Sequence, residues 1–298
     1  MPVDQARILM CPPDYYGIEY EINPWMNRSR RADRVRSHAQ WLQLKEQLEA
    51  AGATIALLSP VEGLPDLVFT ANAALIFQQQ AVPARFRHPQ RQGEQPYDEA
   101  WLLAEGFSIA PLPEGVFFEG AGDALFVGET LVAGYRMRSD ARGLQQLAAL
   151  LGCHLIPLEL IDPYYYHLDT CFCPLSPSEA IYYPGAFDDY GLRVLTALVP
   201  KLIPVIREEA EQFACNAVVV GRTVMTNTGC PQLHQALQAA GYEPRATPLG
   251  EFVKAGGSAK EAGGWAQYFE RYVACGEAEY LNRVGGMAAV GQLPLPVF

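Results

Sequence analysis

The residues of this chain best suited to chemistry lie in one stretch, Tyr164-Tyr165-Tyr166-His167-Leu168-Asp169-Thr170-Cys171-Phe172-Cys173-Pro174. His167 and Asp169 stand two positions apart. In an extended segment, where side chains alternate between faces, they project together while Tyr166, Leu168 and Thr170 turn the other way. An imidazole beside a carboxylate supplies a proton donor and a seat for a cation. The same pair also serves as a core histidine held by a neighbouring acid, and the dipeptide spacing alone leaves both readings open.

Other polar residues recur at the ends of apolar runs. Asp66 and Asn72 bracket Leu67 to Ala71, a placement that turn residues also give. Arg91 belongs to the segment from Arg85 to Glu94, where a planar guanidinium suits a carboxylate ligand and a solvated loop is the alternative. Glu119 follows Phe117-Phe118 and precedes Gly120-Ala121-Gly122, and packing explains it poorly, since an acid beside a buried apolar run needs a partner. Arg138 sits at a strand-to-helix junction, where it serves either a ligand or a nearby acid.

Composition narrows the class. The chain has 298 residues, half of them apolar and 18% charged, enough for a sizeable core and too apolar for disorder. A net charge of −11 disfavours nucleic acid and anionic membranes as main partners and accords with a small cationic substrate. No apolar stretch reaches the roughly 18 residues of a membrane span. The opening Met1-Pro2-Val3-Asp4-Gln5 lacks the basic and apolar regions of a secretory signal. Seven cysteines without a C-x-x-C pair fit reduced thiols in a cytoplasm, and the five histidines show no metal-ligand spacing. The expectation is a soluble cytoplasmic protein with neither metal nor cofactor, its self-association left open.

The elements that must position these residues form an internal repeat. Trp41, Leu44, Leu48 and Ala51 recur at helical spacing up to the stop at Gly52, and a strand over 54–58 follows one over 8–10. That order of helix, stop and strand returns. A helix over 97–105 ends at Gly106 before a strand over 107–112, and a helix from Asp140 to Leu151 ends at Gly152 before a strand over 154–158. A helix from Asp188 to Val199 meets Pro200 before 202–206, and one over 232–240 meets Gly241 before a segment running to Pro248. The stops are roughly 41 to 54 residues apart, the spacing of a repeat architecture. Between them lie apolar strands over 73–77, 124–127 with 130–133, 179–183, and 216–220 with 224–227. One such unit cannot cover both faces of its sheet, but five in a ring can, which predicts a five-bladed pseudo-symmetric α/β propeller of repeated strand–helix units. An open doubly wound sheet competes; tight turns at Gly128 and Gly221 suit mixed sheets better. The basic run Arg28 to Arg36 reads as a solvated helix face. Gly120-Ala121-Gly122 lacks both phosphate-loop spacing and a following helix.

Six motifs together carry a resemblance. They are Pro65-Asp66-Leu67-Val68-Phe69-Thr70-Ala71-Asn72-Ala73, Arg91-Gln92-Gly93-Glu94, Glu119-Gly120-Ala121-Gly122-Asp123, Gly134-Tyr135-Arg136-Met137-Arg138, His167-Leu168-Asp169-Thr170-Cys171-Phe172-Cys173-Pro174, and Phe213-Ala214-Cys215-Asn216-Ala217-Val218. Over roughly residues 6–260 the chain resembles the guanidine-modifying (pentein) superfamily of arginine deiminases, dimethylarginine dimethylaminohydrolases and amidinotransferases, and most nearly its cyanobacterial arginine dihydrolase type. The resemblance implies a five-bladed α/β propeller that breaks down arginine. It implies that Glu119 and Asp169 hold a guanidinium and that His167 is the general acid that protonates departing ammonia. It further implies that Arg91 and Arg138 grip the substrate carboxylate, with Asn23 on a covering loop. Asn72 occupies a position where arginine deiminases carry an aspartate and the dihydrolase type an asparagine, which favours ornithine over a stop at citrulline.

The chain departs from the family at one point. The resemblance implies a nucleophilic cysteine after Gly256-Gly257-Ser258-Ala259-Lys260, and the residue there is Glu261. A thiolate is the natural attacker of a guanidinium carbon, and a carboxylate is a much poorer one. Cys230 and Cys275 are the candidates for a relocated nucleophile. Residues 1–260 are therefore expected to form the guanidine-modifying domain and 261–298 an atypical tail. Three functions stay open: an arginine-degrading C–N hydrolase, a non-catalytic binder of arginine or another guanidino compound, and a structural role for the ring alone.

Overall fold

The structure, a computed structural model, describes residues 6–262. Its sheets follow one plan. In the second unit Ala74–Phe77 runs antiparallel to Gln80–Pro83, which pairs in parallel with Ser108–Ile109 after the helix Gln95–Ala104. The third repeats this with Ala124–Val127, Thr130–Tyr135, the helix Ala141–Leu151 and Leu155–Glu159. The fourth has Phe172–Ser176, Glu179–Tyr182, the helix Asp189–Leu198 and Lys201–Pro204. In the fifth, Val218–Val220, Thr223–Asn227, the helix Pro231–Ala239 and Glu243–Thr247 play these parts. The first unit, among the described residues, holds two parallel strands, Arg7–Met10 and Thr54–Leu57, joined through the helix Arg34–Ala50. These five sheets, four of them mixed and each with its helix, make the five-bladed α/β propeller read from the repeat, and the doubly wound alternative is excluded by their separation.

Local chemistry explains the boundaries. Asp33 caps the first helix by accepting from the Arg36 N–H, and Asp188 caps the fourth-unit helix through the Gly191 N–H. Asp140 also stands at a cap position, but its carboxylate takes the Phe117 N–H and Arg87 instead. The third-unit helix ends at Gly152 in the left-handed conformation that lets the chain turn back into a strand. Each helix buries one stripe, such as Trp41, Leu44 and Leu48 in the first. Truncating a fully buried leucine of this kind costs about 2–5 kcal/mol.

Several expectations need correction. His167 and Asp169 do not share a strand. His167 is extended, but Leu168–Thr170 is a 3₁₀ turn, and the strand begins only at Phe172. Tyr166 does not point away from the pair either, because its ring packs on His167. The basic run falls mostly before the helix, which starts at Arg34, with Arg28, Arg30 and Arg31 exposed in the preceding loop. Gly120–Asp123 forms one helical turn where no helix was expected. The strand expected over 107–112 shrinks to Ser108–Ile109. Gln80–Pro83 escaped the sequence reading because the glutamine run ending at Gln80 and the proline at Pro83 mask its pattern. No helix among the described residues is long and apolar enough to cross a membrane.

Candidate active site

Short turns, three of them just ahead of the first strand of a unit, bring the polar residues together. Thr70–Asn72 carries Asn72, Gly120–Asp123 follows Glu119, Leu168–Thr170 carries Asp169 with His167 ahead of it, and Ala259–Ala262 carries Glu261. The turn at Asn72 packs on those at Gly120 and Ala259, and the turn at Gly120 packs on that at Leu168. Close approach demands glycine here. A Cβ on Gly122 would strike the Asn72 amide, and one on Gly257 would strike the Glu261 carboxylate and the Phe69 ring.

His167 lies at the centre, fully buried. Its Nε2 is 2.7 Å from Glu119 Oε2 and its Nδ1 is 3.0 Å from Glu261 Oε1. Burial works against a charged ring, yet Asp123, Glu119 and Glu261 outweigh it and lift the imidazole to about 10. At neutral pH it is an imidazolium donating a hydrogen bond from each nitrogen. Glu119 is held on every side: Arg138 Nη1 donates to Oε2 at 2.8 Å and the Arg87 N–H to Oε1 at 3.1 Å. Burial alone would raise its carboxyl, but Arg138 and His167 hold it well below the usual carboxylate range.

Asp169 is the opposite case. It is fully buried and neither carboxylate oxygen has a hydrogen-bond partner among the described residues. Burial, with Glu261 adding repulsion, pushes its carboxyl well above the ordinary range. It nevertheless stands in the cluster: one ligating atom from each of His167, Asp169 and Glu261 all lie within 4.8 Å of one another. The proximity expected of His167 and Asp169 is thus present, produced by a turn rather than by strand alternation.

The remaining candidates form a second group. Arg91 lies over Phe86 and makes a two-pronged ion pair with Glu94, Nε to Oε1 at 2.9 Å and Nη2 to Oε2 at 2.7 Å. It also donates to Asn72 Oδ1 at 2.7 Å and to the Asp66 carbonyl at 3.2 Å. That bond leaves the Asn72 NH₂ beside Gly122, which the His167 ring also borders, and the NH₂ finds no partner among the described residues. Burial raises Glu94 to about 7 against the pull of Arg91. Arg138 stacks on Tyr166, 4.5 Å from the ring centre, and its Nη2 donates to the Ile22 carbonyl at 3.1 Å. Asn23 donates to the Ala255 carbonyl at 2.9 Å, and Tyr166 donates its hydroxyl to the Gly256 carbonyl at 2.7 Å. Asn23 and Tyr166 therefore pin the segment that leads to Glu261.

Sequence reasoning missed three contributors. Asp123 accepts from the Ser139 hydroxyl at 2.6 Å and from the Leu168 N–H at 3.1 Å, which fixes the turn carrying Asp169. Ser139 in turn accepts from the Glu119 N–H. Asn216 donates to the Asp169 carbonyl at 3.2 Å and accepts from the N–H groups of Ser258, Lys260 and Glu261. It lay in a quoted motif, but nothing in one sequence says that an asparagine will join two distant turns.

No described cysteine supplies a thiolate. Burial pushes up the thiols of Cys11, Cys153, Cys171, Cys173, Cys215 and Cys230, the last to about 12. Cys230 sits in an apolar cluster with Leu233 and Leu237 rather than at His167. Cys275 lies outside the described residues.

A glutamate–histidine pair and an unpartnered buried acid, set among the turns of a five-bladed α/β propeller, define a protein of the guanidine-modifying class. Residues 18–260 match the family described as N,N dimethylarginine dimethylhydrolase, eukaryotic, and the chain belongs to that family. It is 46% identical over 262 residues to the bifunctional arginine dihydrolase/ornithine cyclodeaminase ArgZ of a Synechocystis species, covering 86% of this chain and 37% of that protein. It thus spans little more than a third of that relative. Against the N(G),N(G)-dimethylarginine dimethylaminohydrolase of Mycobacterium tuberculosis it is 39% identical, covering 85% of this chain and 83% of the other. A crystal structure of the ArgZ N-terminal domain, in a cysteine-to-serine mutant bound to substrate, superposes with a TM-score of 0.83 at 45% identity, over 86% of this chain and 96% of that one.

Proposed function

We propose that this chain is an arginine-degrading C–N hydrolase of the dihydrolase and deiminase type. The observation that carries the reading is the unpartnered, buried Asp169 carboxyl beside a doubly held His167. A buried acid without a partner is costly unless a ligand completes it, and a planar cation with several N–H donors does so. The likeness to ArgZ, an arginine dihydrolase with a substrate-bound structure, supports the same reading.

In this reading the guanidinium lies on Asp169, which ionises as it takes the cation. Glu119 does not touch the cation but fixes the imidazole, since its oxygens already accept from Arg138, Arg87 and His167. His167 gives its proton to the departing nitrogen. Glu261, where the family nucleophile is expected, acts on a water as general base. The water oxygen bonds to the guanidinium carbon, one C–N bond breaks, and arginine plus water gives citrulline plus ammonia. A second water acting on the ureido carbon gives ornithine, ammonia and carbon dioxide. The inward Asn72 NH₂ suits that second step, because it is a donor and a ureido oxygen is an acceptor. Arg138 offers its charge to the substrate carboxylate. Arg91 is assigned to orienting Asn72 in place of the substrate contact that the resemblance implies, since Glu94, Asn72 and the Asp66 carbonyl occupy its donors. Residues 1–260 are read as the propeller domain and 261–298 as a tail whose first residue reaches into the site, with the protein acting in the cytoplasm.

A second reading is an arginine-binding protein without turnover, and Glu261 favours it: a carboxylate strengthens cation binding while removing the thiolate. Incubating the full chain with arginine and assaying ammonia, citrulline and ornithine separates the two. Product above a heat-inactivated control supports the hydrolase. Arginine binding by calorimetry without product supports the binder, and neither binding nor product overturns both.

A further inference from the structure

We propose that Arg87, whose side chain has no role in the chemistry above, is a positioning residue that holds Arg138 in place and so makes the site select guanidino compounds that carry a carboxylate. The inference deepens the hydrolase reading and rests on its assignment of Arg138 to the substrate carboxylate.

Three observations carry it. First, the turn that presents Arg138 is under strain. Arg136 has a φ of 100°, a left-handed backbone that residues other than glycine rarely adopt, and the turn closes with the bond from the Arg136 N–H to the Ser139 carbonyl at 3.1 Å. Such a backbone persists only where its surroundings impose it. Second, the Arg87 fork grips this turn on both sides of Ser139. Its Nε donates to the Arg138 carbonyl at 2.9 Å, its Nη2 pairs with the Asp140 carboxylate, and its guanidinium carbon lies over the Phe117 ring, 4.7 Å from the centre. Asp140 also accepts from the Phe117 N–H at 3.1 Å. Third, the base of the fork is fixed against Glu119. Arg85 and Phe118 exchange backbone hydrogen bonds of 2.7 and 3.1 Å, and the Arg87 N–H goes on to Glu119 Oε1 at 3.1 Å. One short segment of the second unit thus carries both a Glu119 contact and the arm that reaches the Arg138 turn.

Charge alone does not account for this arm. The Arg87 and Asp140 side chains are 31% and 32% exposed, and an ion pair so open to water contributes little. What counts is the planar fork, which meets a carbonyl and a carboxylate at once; the single ammonium of lysine does not reproduce that pattern. Arg138 needs the hold because its own guanidinium is shared between Glu119, the Ile22 carbonyl and the Tyr166 ring. A shift of its turn moves the guanidinium away from a ligand's carboxylate, while Asp169 stays on the turn of another unit. The loss falls on the carboxylate end of the ligand and spares the guanidinium end.

The test is calorimetric titration of the full chain with arginine and, separately, with agmatine, which has the same guanidinium and no carboxylate. The parent should bind arginine the more tightly. Arg87→Ala should weaken arginine binding by at least about tenfold and agmatine binding by no more than about twofold, a selective loss that mere destabilisation does not produce. Arg87→Lys, which keeps the charge without the fork, should lose most of the preference too. In an Arg138→Ala background, adding Arg87→Ala should change arginine binding no further, because residues acting as one unit are not additive. Thermal unfolding shows which variants are folded, and should Arg87→Ala not fold, Arg87→Lys carries the comparison. A parent that prefers arginine, with that preference intact in Arg87→Ala, restored in full by Arg87→Lys, or lost additively in the double variant, overturns this inference alone. A parent that binds both ligands alike, or neither, overturns the reading of the site, and the inference falls with it.

Discussion

Glu119 and Asp169 are two buried acids of one site with opposite circumstances. Glu119 accepts from His167, Arg138 and the Arg87 N–H, and its carboxyl is held low. Asp169 accepts from nothing among the described residues, and its carboxyl is held high. The first is complete as it stands and serves to hold the imidazole. The second is incomplete, and the proposed function seats the cation there. The resemblance implies one guanidinium-holding role for both; the proposed function divides it. Burial is the same for the two, so the number of partners decides which acid is scaffold and which is seat.

The comparison is sharpened most by restoring a nucleophile. Glu261→Cys places a sulfur beside the imidazole, and ammonia release from arginine should rise by about 10²–10⁴-fold over the parent. An unchanged rate would detach position 261 from the chemistry. His167→Ala should lower any parent turnover by about 10²–10⁴-fold, and wild-type rates in that variant would refute its role as proton donor.

Stability separates the two acids by sign. Glu119→Gln leaves Arg138 without its carboxylate partner and His167 with Glu261 alone, and should cost about 3–5 kcal/mol, seen as a lower denaturation midpoint. Asp169→Asn removes a buried acid that resists ionisation and should stabilise the apo protein at neutral pH by about 1 kcal/mol. The pH dependence follows. A depressed carboxyl such as Glu119 contributes stability above its unfolded pKa, and that contribution fades as pH falls toward the folded value. A raised one such as Asp169 has its full contribution below the unfolded pKa and loses it as pH climbs toward the folded value. Melting curves of the two variants should therefore converge on the parent toward acid pH and depart from it in opposite directions as pH rises; shifts of the same sign would erase the distinction. The smallest effect is expected at Arg138→Ala, which should mainly raise the arginine concentration needed, beyond any loss of stability from freeing Glu119.

Much of this was legible in the chain. Helix stops at Gly52, Gly106, Gly152 and Gly241 all adopt positive φ, so the repeat count read the propeller directly. Glu119 stood out because packing explains it poorly, and His167 with Asp169 because their spacing sets an imidazole beside a carboxylate. What escaped was how they meet. Asp169 reaches His167 through a 3₁₀ turn, whose three residues carry no periodic signal. Asp123, Ser139 and Asn216 act through backbone and side-chain hydrogen bonds between turns far apart in sequence, and no local pattern records such partners. The resemblance implies a substrate carboxylate for Arg91, and from the sequence its planar fork suits any carboxylate. The carboxylate it finds is Glu94, three residues on.

The central claim is that Asp169 is the seat of a guanidinium, and calorimetric titration of arginine into the full chain tests it most directly. The account predicts one site per chain, binding that tightens by up to about tenfold per pH unit while Asp169 must lose its proton, and loss of both affinity and that slope in Asp169→Asn. Equal binding by parent and Asp169→Asn, with the same pH dependence, would contradict it.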